Sequence, residues 1–255
     1  MGREIVRNNR FELYHTRPVN DSSSRGPVSE RVFRALSDDV LSGRYAPGEK
    51  LPTQRRLAAD LDVNMAPVRE ALKRLEQLRL VESRQGDAMR VTDWRVEGGL
   101  DVIAHVLVRS GELDRAALDG VMEARTSMLS EAARLAAERR SDQQAERLAE
   151  IAATVSASEA PGAAQALDFA FFAEVVEASR NIVFALVMNS IRELYFEHAD
   201  LFRAIVDDDR ARPDLYAGAA AAVERGDAAE AAGLVRELAE RQAAALTGAI
   251  EASAD

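Results

Sequence analysis

The sequence predicts a mainly α chain: a small N-terminal domain of three helices closed by one β hairpin, then a larger domain that is helical throughout. Three observations predict it. Apolar residues recur at intervals of three and four along most of the chain, the period of an amphipathic helix. Aromatic residues make up only 5% while alanine runs are frequent, a composition that favours helix. Short strand-like runs framed by a turn occur in one place, between Leu80 and Val91. The 255 residues suffice for two ordinary domains.

The elements follow in order. Residues 1–26 read as a mobile tail that ends in the polar linker NDSSSRGP. Pro27 suits a helix start, and Val28, Val32, Leu36 and Val40 repeat every fourth residue up to Gly43. Residues 44–50 form a Pro/Gly loop. Thr53 then caps a helix whose apolar positions are Leu57, Ala58 and Leu61. Asp62 and Val63 turn the chain, and Asn64 caps the next helix. Pro67 falls in that helix's first turn, where its missing N–H costs little. Val68, Ala71, Leu72, Leu75 and Leu78 line its core face, leaving Arg69, Lys73 and Arg74 off the stripe. Strands over 80–83 and 89–91 then pair around a Gln85–Gly86–Asp87 tip. This order of helix, turn, helix and hairpin is a winged helix-turn-helix, built to bring one helix N-terminus into a DNA major groove.

Beyond Thr92–Trp94 lies a domain boundary, giving a tail over 1–26, a winged domain over 27–92 and an all-α domain over 93–255. The second domain shows no convincing strand. Its periodicity predicts helices over 96–110, 114–138, 142–155, 167–178, 181–207, 213–225 and 227–251, with Gly226 separating the last two. The segment 167–178 is apolar almost all round and is expected to be the most buried.

Charge divides along the same boundary. The net charge is −10. Residues 1–26 carry five Arg against three acids and 27–92 twelve Lys/Arg against ten acids, while 93–255 hold sixteen against thirty. Phosphate neutralisation depends on the local field, so the winged domain is the DNA-facing part and the acidic remainder stays away from DNA. No cysteine, no signal-peptide core and no membrane-length apolar run lead to the expectation of a soluble cytoplasmic protein. No nucleophile–base arrangement, phosphate loop or metal motif speaks for an enzyme.

The pieces PGEKLP (47–52), RRLA (55–58), VREAL (68–72) and RLEQLRLVESRQG (74–86) together resemble the GntR family of bacterial transcription regulators. The resemblance implies a homodimer on a pseudo-palindromic double-stranded DNA operator. It implies that Arg55, Asn64, Met65, Ala66, Pro67, Arg69, Gln85 and Gly86 face that DNA. Arg69, one turn into the second helix, suits bidentate contact with guanine O6 and N7. Arg55 and the amides at the Asn64 cap suit phosphates. Relatives usually carry Arg where this chain has Met65, which cannot donate to guanine, so an altered preference at one base of each half-site is expected.

A narrower resemblance runs through VTDWRVEGGLDVI (91–103), EARTSML (123–129) and LDFAFFAEVVEASRNIVFALVMNSIRELY (167–195). These are similar to the FadR branch of the family, whose namesake controls fatty-acid metabolism and leaves DNA on binding long-chain acyl-CoA. Many members of the branch hold a divalent metal through one Asp and three His. Asp168 occupies the Asp position, but the His positions fall on Phe172, Tyr216 and Leu238, so no metal is expected. By the same resemblance Val121, Met122, Arg125, Asp168, Phe172, Tyr195, Phe202 and Gln242 line an acyl pocket. Two readings stay open for Arg125, which lies on an apolar stripe: an ion pair with Asp168 bracing two helices, or a partner for an anionic ligand. For Val121, Met122 and Phe172 the alternative is plain core packing. Tyr195 and Phe202, seven residues apart, are expected to share a helix face with His198. Ala239 and Leu246 replace a Gly and a Trp of the branch, which leaves a free fatty acid open as an effector beside acyl-CoA. A sensor of a small organic or sugar acid, with a degenerate metal site, is the rival reading. Effector binding is expected to tilt the helix beginning near Val96 and release the DNA.

Overall fold

The structure, a computed structural model, describes residues 27–83, 88–109, 112–157, 161–197, 199–207 and 213–254. The expected tail and the wing tip lie outside the described residues. The chain divides into two compact units between Leu113 and Asp114.

The first unit opens with α1 (Val28–Leu41), α2 (Gln54–Asp60) and α3 (Met65–Gln77). Val32, Phe33, Leu36 and Val40 of α1 bury against Val68, Leu72 and Leu75 of α3, with Leu57 and Leu61 between. The Thr53 hydroxyl accepts the Arg56 N–H at 3.3 Å, capping α2. Between α2 and α3 the chain turns at Asp62, whose φ of 52° is the left-handed region that Asp tolerates. Asn64 sits at the N-cap of α3, but its side chain makes no cap hydrogen bond. A missing cap costs about 1 kcal/mol. Burying Val68, Leu72 and Leu75 contributes roughly 1.5–3 kcal/mol each, so packing on α1 fixes this helix rather than its cap.

The wing pairs β1 (Val81–Glu82) with β2 (Arg90–Val91) in antiparallel register, Val81 opposite Val91. Its strands are shorter than the sequence suggests. The Pro/Gly loop before α2 adds a third rung: Lys50 bridges Arg90, and Leu51 N–H donates to Met89 O at 2.8 Å.

The segment expected as one helix over 96–110 is instead broken. It runs α4 (Trp94–Glu97), a 3-10 turn (Leu100–Val102), α5 (Ile103–Leu107), then a hairpin of β3 (Val108–Arg109) with β4 (Glu112–Leu113). Gly98 breaks it, since a Cβ there would lie 2.4 Å from the Trp94 carbonyl oxygen. The buried residues are Val102 and Leu107, while Val96 and Leu100 are exposed. The hairpin corrects the expectation of no strand beyond the wing; the residues between its strands lie outside the described residues. Val102 joins the core of the winged domain. His105 packs edge-on against Phe33, ring centroids 5.2 Å apart. Arg74 lies over the same Phe33 ring at 3.8 Å and pairs with Glu30. These contacts carry the first unit past the expected boundary at 92 to Leu113.

The second unit is helical: α6 (Arg115–Arg139), α7 (Asp142–Ala157), α8 (Pro161–Ala178), α9 (Ile182–Glu197), α10 (Ala199–Phe202), α11 (Ala204–Asp207), α12 (Pro213–Arg225) and α13 (Ala228–Ala254). Asp114 caps α6 by accepting the Ala117 N–H at 3.0 Å. Ala132, Ala133 and Ala136 of α6 and Ala231, Val235 and Leu238 of α13 are fully buried, and the alanines are small enough to let these two long helices run close together. α8 starts earlier than its apolar run, at Pro161. It buries Asp168, Phe171, Phe172, Val175, Val176 and Ala178, residues from all sides of the helix, as its composition requires. Gly226, at φ 75°, turns α12 into α13. The single helix expected over 181–207 is three. In an unbroken helix Tyr195 and Phe202 would be about 10 Å apart along the axis. Their rings instead stack with centroids 5.3 Å apart. His198 lies outside the described residues. Among the described residues no helix is long and apolar enough to cross a membrane.

Candidate functional site

Two regions gather the chemistry. On the winged domain, the apolar stripe of α3 fixes which face is left over. Met65, Ala66, Arg69 and Lys73 are exposed on that face, as are Arg55 and Asn64, while Pro67 is half-buried. Ion pairs occupy Arg44 with Asp39, Arg56 with Asp60 and Arg74 with Glu30. Arg55 and Arg69 enter none of the ion pairs among the described residues, so their guanidinium groups are available to an external anion or base. With Asn64 not bonded to the first turn, the N–H groups at the start of α3 also point outward unsatisfied, a ready anion seat. Gln85 and Gly86 lie outside the described residues.

In the bundle a polar network crosses the apolar core. Arg125 of α6 donates from Nη2 to Gln242 Oε1 of α13 at 2.6 Å. Gln242 Nε2 donates to Asp168 Oδ1 at 2.7 Å, and the Tyr216 hydroxyl of α12 donates to the same oxygen at 2.7 Å. Asp168 and Gln242 are buried, at 1% and 0% exposure. Arg125 therefore reaches Asp168 through Gln242 rather than by the direct pair considered from sequence. Its Nη1 is buried with no hydrogen-bond partner, and its guanidinium lies over the Phe172 ring at 4.8 Å. Burial pushes the Asp168 carboxyl above the usual aspartate range; the attraction of Arg125 and the Tyr216 and Gln242 hydrogen bonds offset this only in part. Burial, then the neighbouring Asp168 charge, also pushes the Tyr195 hydroxyl up.

The residues proposed for the acyl pocket thus separate into groups. Arg125, Asp168, Phe172 and Gln242 meet in the network. Tyr195 stands beside Asp168 electrostatically and joins Phe169 and Phe202 in an aromatic cluster, with centroids 5.4 and 5.3 Å from its own. Met122 faces a different space, a groove of about 390 Å³ between α6 and α13 that Thr126, Arg236 and Glu240 also line. Val121 is half-buried. A second groove, about 550 Å³, runs along α8 and α9 past Phe169, Met188 and Arg192. Neither groove is lined by Arg125, Asp168, Tyr195 or Gln242. Tyr216 is the residue the sequence reading undervalued: it marks a lost ligand position in the family pattern, and here its hydroxyl holds Asp168. The donor set does not fit a divalent metal. Asp168 faces a phenol and a carboxamide, with a guanidinium behind the carboxamide, and Phe172 and Leu238 offer only hydrocarbon. Among the described residues no group of three or more His, Cys, Asp or Glu is placed to hold one.

Comparison with known proteins agrees with both regions. The model of the gntR family of bacterial regulatory proteins matches residues 28–91, and the FCD domain model matches 120–241. The HTH-type transcriptional regulator Mce2R of Mycobacterium tuberculosis is 38% identical over 204 residues, 80% of this chain and 85% of that protein. The fatty acid metabolism regulator protein of Enterobacter is 26% identical over 161 residues, 63% of this chain and 66% of that protein. Among solved structures, Lar, which controls expression of the Listeria monocytogenes agr system, superposes with a TM-score of 0.55 over 88% of this chain and 98% of its own at 13% identity, a likeness of fold. A winged domain with Arg55 on α2 and Arg69 on α3 outside every ion pair among the described residues, joined to an FCD bundle, makes the chain a DNA-binding transcriptional regulator, and it belongs to the GntR family.

Proposed function

We propose that this regulator acts as a homodimer on a pseudo-palindromic operator and is released by a long-chain fatty acyl effector, an acyl-CoA or the free acid, bound in the FCD bundle. The observation that carries the effector class is Arg125. A half-buried guanidinium with one buried, unpartnered nitrogen lies over an aromatic face, Phe172, and the same bundle holds an aromatic cluster of Phe169, Tyr195 and Phe202. That combination offers an acyl group one charge-assisted hydrogen bond and apolar surroundings for its chain. Switching a two-state dimer from about 1:99 to 99:1 takes roughly 5.5 kcal/mol of differential binding. At about 0.8 kcal/mol per buried methylene, roughly seven methylenes supply it. A small acid sensed without a metal has few donors here to match that, which disfavours the rival reading. Entry is easiest beside α10 and α11, each a single turn with little helical stability of its own. The segment from Trp94 to Leu113, packed on the winged domain and continuous with α6, is the covalent route to the DNA-reading helix.

The test is a mobility-shift titration of an operator fragment with oleoyl-CoA and, separately, with oleate. Wild-type protein is expected to leave the DNA with at least one of them, and Arg125→Met to need tenfold or more of it. Unchanged operator affinity with both ligands defeats the acyl reading while leaving DNA binding intact.

A further inference from the structure

The start of α3 has a chemistry that the arginines do not explain. Its first three residues, Met65, Ala66 and Pro67, carry no hydrogen-bond donor in their side chains and no acceptor beyond the weak thioether sulfur of Met65. Met65 is nevertheless 41% exposed, one of few large apolar side chains left on the surface of the winged domain. Packing does not ask for it: the stripe that seats α3 begins at Val68. Met65 and Arg69 are four residues apart, so they lie on one helix face, about 6 Å from each other along the axis. That interval is close to two base steps at about 3.4 Å each.

We infer that Met65, with Ala66 beside it, is a specificity-determining residue that reads the C5-methyl group of a thymine within two base pairs of the guanine contacted by Arg69. A thymine edge in the major groove offers one acceptor and one methyl, and the methyl is the only apolar feature any base pair presents there. A thioether side chain with no donor is matched to that feature and to no other on the groove floor. Asn64, its amide not engaged at the cap, stands next to this pair and is placed to bond the neighbouring backbone phosphate or an adenine edge. The inference rests on α3 being the DNA-reading helix, and the experiment separates the two ideas.

The full-length protein is first used to select duplexes from a random-sequence library, and the recovered half-site is then scanned by replacing each thymine with uracil. The replacement removes one methyl from the DNA and leaves every hydrogen-bonding group and the protein unchanged. One position next to the Arg69-dependent guanine is expected to lose about fourfold in affinity per half-site, the factor for one buried methyl. Met65→Ala, at an exposed site that does not hold the fold, is expected to lose sensitivity to uracil at that position and at no other. If every uracil duplex binds within the error of its thymine parent while Arg69→Ala still relaxes the guanine preference, the methyl reading is wrong and the helix assignment survives. If Arg69→Ala leaves base preference unaltered, the helix assignment fails and takes the methyl reading with it.

Discussion

Asp168→Asn is expected to stabilise the protein above the usual carboxylate range. In the wild type the carboxyl is 1% exposed, accepts from Tyr216 and Gln242 at 2.7 Å each, and has its guanidinium neighbour one side chain away behind Gln242. Burial dominates, so the folded state holds the Asp168 proton more tightly than the unfolded chain does. Between the unfolded and folded pKa values the native state binds more protons, and stability falls as pH rises through that window, by up to about 1.4 kcal/mol per pH unit. Below the window both states are protonated and nothing is lost. Asparagine keeps an acceptor oxygen for Tyr216 and Gln242 but has no proton to release, so its stability lacks this slope. Urea unfolding of both proteins from pH 4 to pH 9 measures the difference. The variant is expected within about 1 kcal/mol of wild type at the acid end, as one neutral hydrogen-bonding group replaces another. It gains steadily on wild type above the usual aspartate range. If Asp168 were instead an ionised partner of Arg125, the variant would be weaker by about 3–5 kcal/mol near neutrality, a deficit that stays level from there to pH 9 and shrinks only towards acid pH. That result would refute the argument.

Arg69→Ala should cost about 1–3 kcal/mol per half-site on the selected operator and much less on scrambled duplex, read by fluorescence anisotropy at fixed salt; equal losses on both would make it a phosphate contact. Leu75→Ala, at a fully buried position of α3 facing α1, should lower the stability of the winged domain by about 2–5 kcal/mol in thermal unfolding, and a loss under 1 kcal/mol would mean that the α1–α3 contact is not what holds the helix.

Much of this molecule is written locally. The winged domain was legible because each part carries its own chemistry: a Thr cap at position 53, an Asp at the left-handed turn, a Pro in a first turn, and a stripe from Val68 to Leu75 that settles which side of α3 faces outward. Those are short-range effects, and an apolar period of 3.6 leaves one face free whatever the rest of the chain does. The same reasoning failed over 96–110 and 181–207. There the period continues across a break, and where the chain bends depends on distant surfaces: Val102 finds the winged core, and Phe202 stacks on Tyr195. The bundle's polar network was half legible. Arg125 stood out as a polar residue on an apolar stripe that needs a partner when buried, while Asp168 and Gln242 entered through the family resemblance. Which partner each takes depends on where α6, α8, α12 and α13 bring their side chains, and only tertiary packing decides that. Gln242 stands between the two charges, Tyr216 takes the carboxyl, and one nitrogen of Arg125 is left without a bond.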